Sequence, residues 1–168
     1  MAAPVADDER VDAYVGLGSN LGDSAGAIER ALVALSALSS TTLVARSSLY
    51  RSAPLDAPGD DYLNAVAHLR TALAPLALLH ALQEIERRAG RVRPFANAPR
   101  TLDLDLLLHG DAVLASETLT LPHPRLHARA FVLAPLAEIA PEVVVHGHGP
   151  VAALRAAVAG QRVVKLDR

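Results

Sequence analysis

Apolar and polar residues alternate along the stretch from Arg100 to Leu108, which reads R-T-L-D-L-D-L-L-L. Leucine fills every second position from 102 to 108, and this period of two predicts a strand with one apolar face. Asp103 and Asp105 then share the opposite face, with Cα atoms about 7 Å apart at a rise of about 3.3 Å per residue. The predicted strand therefore carries two carboxylates side by side.

Two neighbouring carboxylates repel each other unless a cation compensates their charge. A hard, oxygen-seeking ion such as Mg²⁺ would do so, with a substrate phosphate filling its remaining coordination positions. The alternative is a strand whose polar face simply meets water, since acidic residues are common on exposed surfaces. The Asp-x-Asp spacing alone leaves both interpretations open.

The same periodicities predict the other elements of the chain. Predicted strands cover Val11–Gly18, Leu43–Arg51, Tyr62–Thr71 and, more briefly, Thr118–Leu121. Predicted helices run from about Ala25 to Leu38, from Pro75 to just before Gly90, from about Ala128 to Ile139 and from Val151 to Val158. Asp23 or Ser24 can cap the first of these helices. The order β-α-β-β-α-β, followed by a further strand and helices, predicts an α+β fold with a ferredoxin-like core sheet. We expect a loose tail over residues 1–11 and a single domain over residues 12–168.

Composition narrows the classes of function. The 168 residues are 51% apolar, which is enough for one domain with a full core. The net charge of −2 argues against a general nucleic-acid or membrane-surface binder. The sequence has no cysteine, no apolar run near the ~20 residues that span a bilayer, and an acidic start unlike a signal peptide. We therefore expect a cytoplasmic protein.

The only lysine is Lys165, so the Gly-Lys-Ser/Thr triplet of a P-loop is absent. Any bound phosphates would have to be held by arginine, metal ions and backbone N–H groups. Arg91, Arg93 and Arg100 flank or enter the loop before the Asp-x-Asp strand, and guanidinium groups bind phosphate oxygens well. Salt bridges to nearby carboxylates are the alternative role for these arginines.

Tyr62 and Asn64 lie on one face of their predicted strand, beside the loop Ser52–Asp60. Together they could offer a stacking ring and an amide edge to a flat heterocycle. A tyrosine buried in the core and an asparagine in a turn are the alternatives. The pattern therefore indicates a candidate binding surface at this end of the strand.

Three weaker signals remain. The glycine-rich stretch Gly16–Gly22 could bring backbone close to a ligand or a neighbouring strand, or form only a tight turn. Gln83 and Glu86 lie three apart on one side of a predicted helix, where a solvated face is the simplest interpretation. His146-x-His148 could bind a metal, although no third ligand is near in the sequence.

Several short motifs line up with those of one known family. In chain order they are Gly18-Ser-Asn-Leu21, Ser48-Leu-Tyr-Arg51, Asp61-Tyr-Leu-Asn64, Gly90-Arg-Val-Arg93, Pro99-Arg-Thr-Leu-Asp-Leu-Asp105, Pro122-His-Pro-Arg125 and Arg129-Ala-Phe131. In this order and spacing, over about residues 12–142, they resemble 6-hydroxymethyl-7,8-dihydropterin pyrophosphokinase of folate biosynthesis. The resemblance implies an enzyme that moves the β,γ-diphosphate of ATP to the pterin hydroxymethyl oxygen and releases AMP.

The resemblance also implies roles for individual residues. The implied catalytic residues are Arg91, Arg100, Asp103 and Asp105, of which the two aspartates would hold two Mg²⁺ ions. The implied ATP contacts are Gln83, Glu86, Arg91, Arg93, Arg100, Leu106, His123 and Arg129. The implied pterin contacts are Gly18, Ser52, Ala53, Pro54, Leu55, Tyr62, Asn64 and Phe131. Among these, the rings of Tyr62 and Phe131 would sandwich the pterin and Asn64 would bind its edge.

The loops Ser52–Asp60 and Gly90–Pro99 resemble mobile lids of the family, which would close over the site and exclude water. Many members have Arg-Trp-Gly-Pro-Arg before the aspartates, whereas this chain has Ala96-Asn-Ala-Pro-Arg100 and is about one residue shorter than some. The lid tryptophan is therefore missing, with Asn97 nearest in position and Phe95 as a partial substitute. This departure concerns how the lid closes, and it leaves the expected reaction unchanged.

We expect a monomer that acts on ATP and the pterin, without nucleic acid, membrane or a fused folate enzyme. Two other functions fit parts of the pattern. A Mg²⁺-dependent nucleotide phosphohydrolase would keep the aspartates and arginines but would need no pterin sandwich. A non-catalytic nucleotide-sensing module would leave Asp103 and Asp105 as surface residues. AMP release only in the presence of the pterin would separate these functions.

Overall fold

The computed structural model describes residues 9–20, 23–53, 61–90 and 102–166. Within these ranges the strands are β1 (Val11–Ser19), β2 (Thr41–Arg46), β3 (Tyr50–Ser52), β4 (Tyr62–Thr71), β5 (Asp103–His109), β6 (Leu114–Ala115), β7 (Thr120–Leu121), β8 (Val144–Val145), β9 (Gly149–Pro150) and β10 (Val164–Lys165). The helices are α1 (Ser24–Ser36), α2 (Pro75–Arg88), α3 (Ala130–Ile139) and α4 (Val151–Ala157), and a 3₁₀ turn covers Leu126–Ala128.

The main sheet has the strand order β10-β3-β4-β1-β5, and β2 pairs with β4 on the same side as β3. All of these pairings are antiparallel. β1 and β4 are therefore central, β5 forms one edge, and the β2–β3 segment flanks β4 on the other side. This is the order expected of a ferredoxin-like βαββαβ sheet, so the predicted fold is confirmed.

Helices pack on both faces of the sheet. α1 and α2 cover one face, where Ile28 and Leu78 join the buried side chains of β1 and β4. α3 and α4 pack on the second face, where Leu133 and Val151 belong to a separate apolar cluster. A cavity also opens on this second face, beside the start of α3. None of the helices in the described ranges combines the length and apolar character needed to cross a bilayer.

The prediction of one continuous strand over Leu43–Arg51 is wrong, because the chain turns away from the sheet between β2 and β3. The Ser47 N–H donates to the Val66 carbonyl at 2.9 Å, and the Ser47 hydroxyl accepts from the Val66 N–H at 2.9 Å. A side-chain oxygen thus replaces a backbone carbonyl in the ladder. The following N–H, that of Ser48, is directed to Glu138 on α3 instead.

The alternation along β5 is also interrupted. Val15 pairs with Leu106 and Tyr14 pairs with Leu108, so Leu107 is an extra residue on β5. Leu106 shares the face of Leu102 and Leu104, which α1 and α2 cover, whereas Leu107 and Leu108 both belong to the α3–α4 cluster. The prediction that Leu108 shares the face of Leu106 is therefore wrong, because a bulge adds one residue between them.

Several element ends differ from prediction by short local features. The Asp23 side chain accepts from the Gly26 N–H at 3.1 Å and caps α1, which confirms one of the two predicted caps. The helix predicted from about Ala128 begins at Ala130, after the 3₁₀ turn. β6 has no counterpart among the predicted elements, and neither has the small hairpin that β8 and β9 form.

Candidate active site

A cavity of about 230 Å³ lies between β1, β4, β5, the end of β3 and the start of α3, and is open to solvent on one side. The described residues that line it are Gly16, Leu17, Gly18, Ser52, Ala53, Tyr62, Asn64, Ala65, Val66, Asp103, Asp105, Arg129, Phe131 and Val132. They include every predicted pterin contact that falls within the described residues, together with both aspartates. Residues that are far apart in the sequence are thus brought together at one concave surface.

Two glycines of β1 form the floor of the cavity. Gly18 lies between Asp103 of β5 and Asn64 of β4, and Gly16 is two residues earlier on the same face. A Cβ atom on Gly18 would meet Asn64 Oδ1 at 3.5 Å, and the nearest neighbour of one on Gly16 would be the Leu107 side chain, at 3.6 Å. Both are ordinary contacts, so what the missing side chains provide is open volume. Both glycines lie inside β1, as the predicted strand Val11–Gly18 has them, so the alternative of a tight turn is excluded at these two positions.

Asn64 is buried and held by β3. Its Nδ2 donates to the Ser52 hydroxyl at 2.8 Å and more weakly to the Tyr50 carbonyl at 3.5 Å. These bonds leave Oδ1 at the cavity floor beside Gly18. Tyr62 is half-buried and lies on the same face, which confirms the prediction for this pair. A ring next to a fixed amide can bind a flat, polar-edged heterocycle.

Asp103 and Asp105 both line the cavity, as the alternation predicts. Asp103 is half-buried and Asp105 is exposed, and their partners across the ladder are Gly18 and Gly16. Within the described ranges, no group of three or more histidine, cysteine, aspartate or glutamate side chains is placed to hold a metal ion. Carboxylate oxygens are nevertheless the donors that Mg²⁺ prefers, and ligand oxygens can complete its coordination.

Arg129 and Phe131 form the wall of the cavity that belongs to α3. The Arg129 carbonyl accepts the first helical bonds, from Val132 at 3.1 Å and Leu133 at 2.9 Å, so both side chains are placed by the helix start. The guanidinium carbon of Arg129 lies 5.4 Å from the centroid of the Phe131 ring, within cation–π range. A positive charge and an aromatic ring therefore face the sheet from the same helical turn.

His123 is tied to the edge strand that carries the aspartates, because its N–H donates to the Leu107 carbonyl at 2.9 Å. Burial lowers the pKa of His123; Asp105 opposes this shift, and Arg129 and Arg125 reinforce it. The imidazole is therefore neutral at pH 7. Its Nδ1 accepts from the Arg125 N–H at 3.2 Å, which places the proton on Nε2 and makes that atom a donor.

Four of the predicted ATP contacts within the described residues do not line the cavity, namely His123, Glu86, Gln83 and Leu106. Glu86 is buried and accepts from the Leu104 N–H at 2.7 Å, so it anchors the start of β5 to α2. A solvated helix face is thus excluded for Glu86, whereas Gln83 is exposed. The Leu106 side chain is packed in the α1–α2 core. A nucleotide contact at Leu106 would have to use its backbone.

Five predicted site residues lie outside the described ranges. They are Pro54, Leu55, Arg91, Arg93 and Arg100. Most of each predicted lid, residues 54–60 and 91–99, also lies outside them. Their roles stay predictions that depend on the family resemblance.

The sequence predicted a close backbone approach at Gly16 only as part of the stretch Gly16–Gly22, and it did not identify Leu17, Ala65, Val66 and Val132 as lining residues. A usable signal existed for Gly16, because glycine inside a strand often marks a place where a ligand or another backbone approaches closely. Val66 and Val132 resemble ordinary core residues, and only the fold places them at the cavity.

The histidines near the C-terminal hairpin form a stacked pair. The rings of His127 and His148 are parallel within 7°, with centroids 3.8 Å apart. Imidazole lone pairs lie in the plane of the ring, so two stacked rings do not converge on one ion. Within the described residues no group of three or more metal-binding side chains includes His146 and His148, so the structure gives no support to a metal site at His146-x-His148.

Comparisons with known proteins agree with the geometry. A family model described as 7,8-dihydro-6-hydroxymethylpterin-pyrophosphokinase (HPPK) matches residues 14–141. The 2-amino-4-hydroxy-6-hydroxymethyldihydropteridine pyrophosphokinase of Haemophilus influenzae is 45% identical over 159 residues, which cover 94% of this chain and 99% of that protein. The protein of the same name from Pseudomonas aeruginosa is 52% identical over 132 residues, or 77% of this chain and 81% of that one.

Solved structures show a likeness of fold. The wild-type HPPK-DHPS of Plasmodium falciparum with pteroate matches with a TM-score of 0.74 at 13% sequence identity. The match covers 90% of this chain and 45% of that chain, so the chain spans less than half of that protein.

Proposed function

Because the chain belongs to the 7,8-dihydro-6-hydroxymethylpterin-pyrophosphokinase family, we propose that its cavity binds the pterin and the phosphates of ATP side by side. The chain is an ATP-dependent transferase of folate biosynthesis, which moves a diphosphate group from ATP to 6-hydroxymethyl-7,8-dihydropterin. The cavity residues divide into a pterin end and a phosphate end.

At the pterin end, the rings of Tyr62 and Phe131 stack on the two faces of the heterocycle. Asn64 Oδ1 accepts from the ring's N–H edge, and its orientation is fixed by the bond from Nδ2 to Ser52. Leaving a buried donor or acceptor of such an edge unpaired costs about 1–3 kcal/mol. Selectivity for a pterin over an apolar ring of similar size follows from this cost.

At the phosphate end, Asp103 and Asp105 are the residues that would hold two Mg²⁺ ions. Bound Mg²⁺ supplies charge neutralisation for the phosphates and acidifies the attacking hydroxyl. Arg129, which also lines the cavity, binds phosphate oxygens there, and the Nε2–H of neutral His123 donates to a neighbouring phosphate oxygen. We propose that Arg91, Arg93 and Arg100, which are not among the described residues, bind the same phosphates.

The reaction requires positioning more than covalent chemistry from the protein. The hydroxymethyl oxygen bonds to the β-phosphorus of ATP, the bond from that phosphorus to the α–β bridging oxygen breaks, and AMP leaves with the oxygen. The hydroxyl proton is released. The pterin clamp fixes the attacking oxygen, and the charged end of the cavity fixes the diphosphate against it.

The observation that supports this assignment most is the common location of the ring pair, the fixed amide and the carboxylate pair in one cavity. The test is formation of AMP by the purified protein, with and without the pterin and with and without chelator. We expect AMP only when pterin and divalent ion are both present. AMP or phosphate formed without the pterin would contradict the pterin clamp.

The number of metal ions has a separate test. Mn²⁺ can replace Mg²⁺ as a spectroscopic probe, and its free concentration can be followed by electron paramagnetic resonance. We expect two ions bound per chain in the presence of a non-hydrolysable ATP analogue, and weaker binding after Asp103→Ala. One ion per chain at saturation would contradict the two-ion assignment.

We also propose that residues 12–168 form one domain that acts as a monomer in the cytoplasm, where ATP is available. Light scattering coupled to size-exclusion chromatography tests the oligomeric state, with an expected mass near 17.6 kDa. A mass twice as large at micromolar concentration would overturn the monomer. Cell fractionation followed by immunoblotting tests the location.

A further inference from the structure

Glu138, near the end of α3, binds the segment that leads into β3. Its carboxylate accepts from the Tyr50 hydroxyl at 2.7 Å, from the Ser48 N–H at 3.0 and 3.1 Å, and from the Ser48 hydroxyl at 3.0 Å. Hydrogen bonds to a charged acceptor are about twice as strong as neutral ones. Three donors from two residues therefore fasten the end of α3 to this segment.

The donors are available because of the break between β2 and β3. Ser47 completes the ladder with Val66 through both its N–H and its hydroxyl, so the next N–H leaves the sheet and reaches Glu138. Tyr50 is 7% exposed, and its hydroxyl ends at the same carboxylate. The irregular strand thus presents its donors to a helix on the second face of the sheet.

The two elements joined by this contact, β3 and α3, both also carry residues that line the cavity. β3 ends at Ser52, which accepts from the Asn64 side chain, and Tyr50 pairs with Asn64 across the ladder. On the other side, α3 carries Phe131 seven residues before Glu138, which is two helical turns or about 10 Å along the axis. Glu138 therefore joins the helix that forms one wall of the cavity to the strand that orients the opposite wall.

The charges nearby favour an ionised carboxylate and a protonated phenol. Burial would raise the pKa of Glu138, but hydrogen bonds from Tyr50 and Ser48 and the charge of Lys165 bring it below the usual value. Burial, followed by the bond to Glu138 and its negative charge, raises the pKa of Tyr50, and Arg155 opposes this only in part. The contact thus persists throughout the neutral pH range.

We propose that Glu138, through Tyr50 and Ser48, is a positioning residue that sets the gap between Phe131 and the Tyr62–Asn64 wall. It thereby sets the affinity for the pterin without contacting it. The inference rests on the proposed pterin clamp and adds a residue outside the cavity to it. A loss of the contact lets the start of α3 move relative to the sheet, whereas the aspartates on β5 keep their places.

The test compares KM for the pterin with KM for ATP in a set of variants. Glu138→Ala is expected to raise KM for the pterin about tenfold and KM for ATP by at most about threefold, because the displaced wall carries the stacking ring of Phe131 but only one of the proposed phosphate contacts, Arg129. Glu138→Gln keeps an oxygen acceptor and should restore most of the pterin affinity. Tyr50→Phe, which removes one hydroxyl and preserves the ring, should raise KM for the pterin by about threefold to fivefold.

The double variant Tyr50→Phe with Glu138→Ala should be no worse than Glu138→Ala alone, since both changes remove the same bond. Glu29→Gln serves as the matched control, because Glu29 pairs with Arg46 in the adjacent cleft and has no bond to α3. It should leave the ratio of the two KM values unchanged.

Direct binding and unfolding measurements separate positioning from general stability. The Kd of the pterin, measured by calorimetry with a non-hydrolysable ATP analogue, should follow KM in each variant. If Glu138→Ala and Tyr50→Phe lower the free energy of unfolding and leave the KM ratio within about twofold of the unmodified protein, the role is structural only and the inference is overturned. Absence of pterin-dependent AMP formation in the unmodified protein would instead overturn the proposed function.

Discussion

The second face of the sheet carries acidic residues at both ends, and their surroundings differ. At one end, Asp12 of β1 accepts from His68 at 2.8 Å and from Arg70 at 3.3 Å, both on β4. At the other end, Asp103 and Asp105 of β5 lie across the ladder from two glycines. One end is filled by neighbouring side chains, and the other leaves a cavity.

The aromatic residues differ in the same way. Tyr14 is 5% exposed and its ring stacks on His68 with centroids 4.6 Å apart. Tyr62 is half-buried and its ring lines the cavity. A strand pair with the same alternation can thus form a stable polar cluster or a binding site. The residues on the facing strand determine which of the two forms, because glycines opposite the aspartates leave open the volume that histidine and arginine fill beside Asp12.

The largest effect is expected from Asp105→Ala. Removing one carboxylate from a metal-phosphate site takes away several kcal/mol of transition-state stabilisation, so kcat should fall by about 1,000-fold or more. The free energy of unfolding should change little, because the side chain is exposed. Asp12→Asn is the control at the other end of the face, and it should keep full turnover. Normal turnover by Asp105→Ala would contradict the metal assignment.

Tyr62→Ala should weaken pterin binding on the order of 100-fold and ATP binding far less, since stacking on an aromatic ring contributes about 1–3 kcal/mol. Calorimetric titration with each ligand separates the two effects. Tyr14→Ala makes the matched comparison: its ring has a protein partner, so we expect a large loss of stability instead of a selective loss of ligand affinity. Equal losses of pterin and ATP affinity in Tyr62→Ala would refute the stacking role.

Gly18→Val tests whether the glycine at the cavity floor is needed for ligand binding or for the stability of the fold. Valine suits the interior of a strand, so the free energy of unfolding should stay the same or rise by up to about 1 kcal/mol. The new side chain would stand beside Asn64 Oδ1, and we expect pterin binding to weaken about tenfold at a crowding cost of about 1–3 kcal/mol. Chemical denaturation and pterin titration measure the two quantities. Lost stability with unchanged affinity would show that the glycine serves the fold.

The smallest effect is expected at the end of the second face where Asp12 pairs with His68 and Arg70. The hydrogen bonds and charges of His68 and Arg70 hold the pKa of Asp12 below its ordinary value of 3.8, against the effect of burial. Because the folded-state pKa is the lower one, this stabilisation is complete above the unfolded-state pKa and is lost as the pH falls through the folded-state pKa.

Asp12→Asn should therefore cost about 0.5–1 kcal/mol of unfolding free energy at pH 6, a typical contribution for a partly exposed pair, and almost nothing near pH 2.5. Denaturant titrations at both pH values measure the difference, with Asp111→Asn in an exposed turn as the control. A cost that is the same at both pH values would contradict the ion-pair explanation.

The sequence alone predicted the features that depend on local periodicity. The Asp103–Asp105 face, the Tyr62–Asn64 face and the Asp23 cap follow from residue spacing within one element. The alternation also predicted three strands of the core sheet, because β1 and β4 pair without interruption and the bulge in β5 comes after its two aspartates.

The features that were missed depend on contacts between distant parts of the chain. The hydroxyl of Ser47 replaces a carbonyl only because Val66 lies opposite, and Glu138 meets Ser48 across 90 positions of sequence. No local pattern encodes such pairs. The motif resemblance supplied what periodicity could not, because it indicated that Phe131 and Tyr62 belong to one site before any fold was available.

The bulge at Leu107 limits how this active-site strand can be reused. Asp103 and Asp105 line the cavity, whereas Leu107 and Leu108 both pack in the core under α3 and α4. The extra residue of the bulge is what allows two consecutive leucines to lie on that side of the sheet. A protein engineer who grafts the carboxylate pair onto another antiparallel sheet would have to move the whole seven-residue segment Asp103–His109. The Asp-Leu-Asp triplet, transplanted by itself, would lack the offset that seats the strand against its second helical layer.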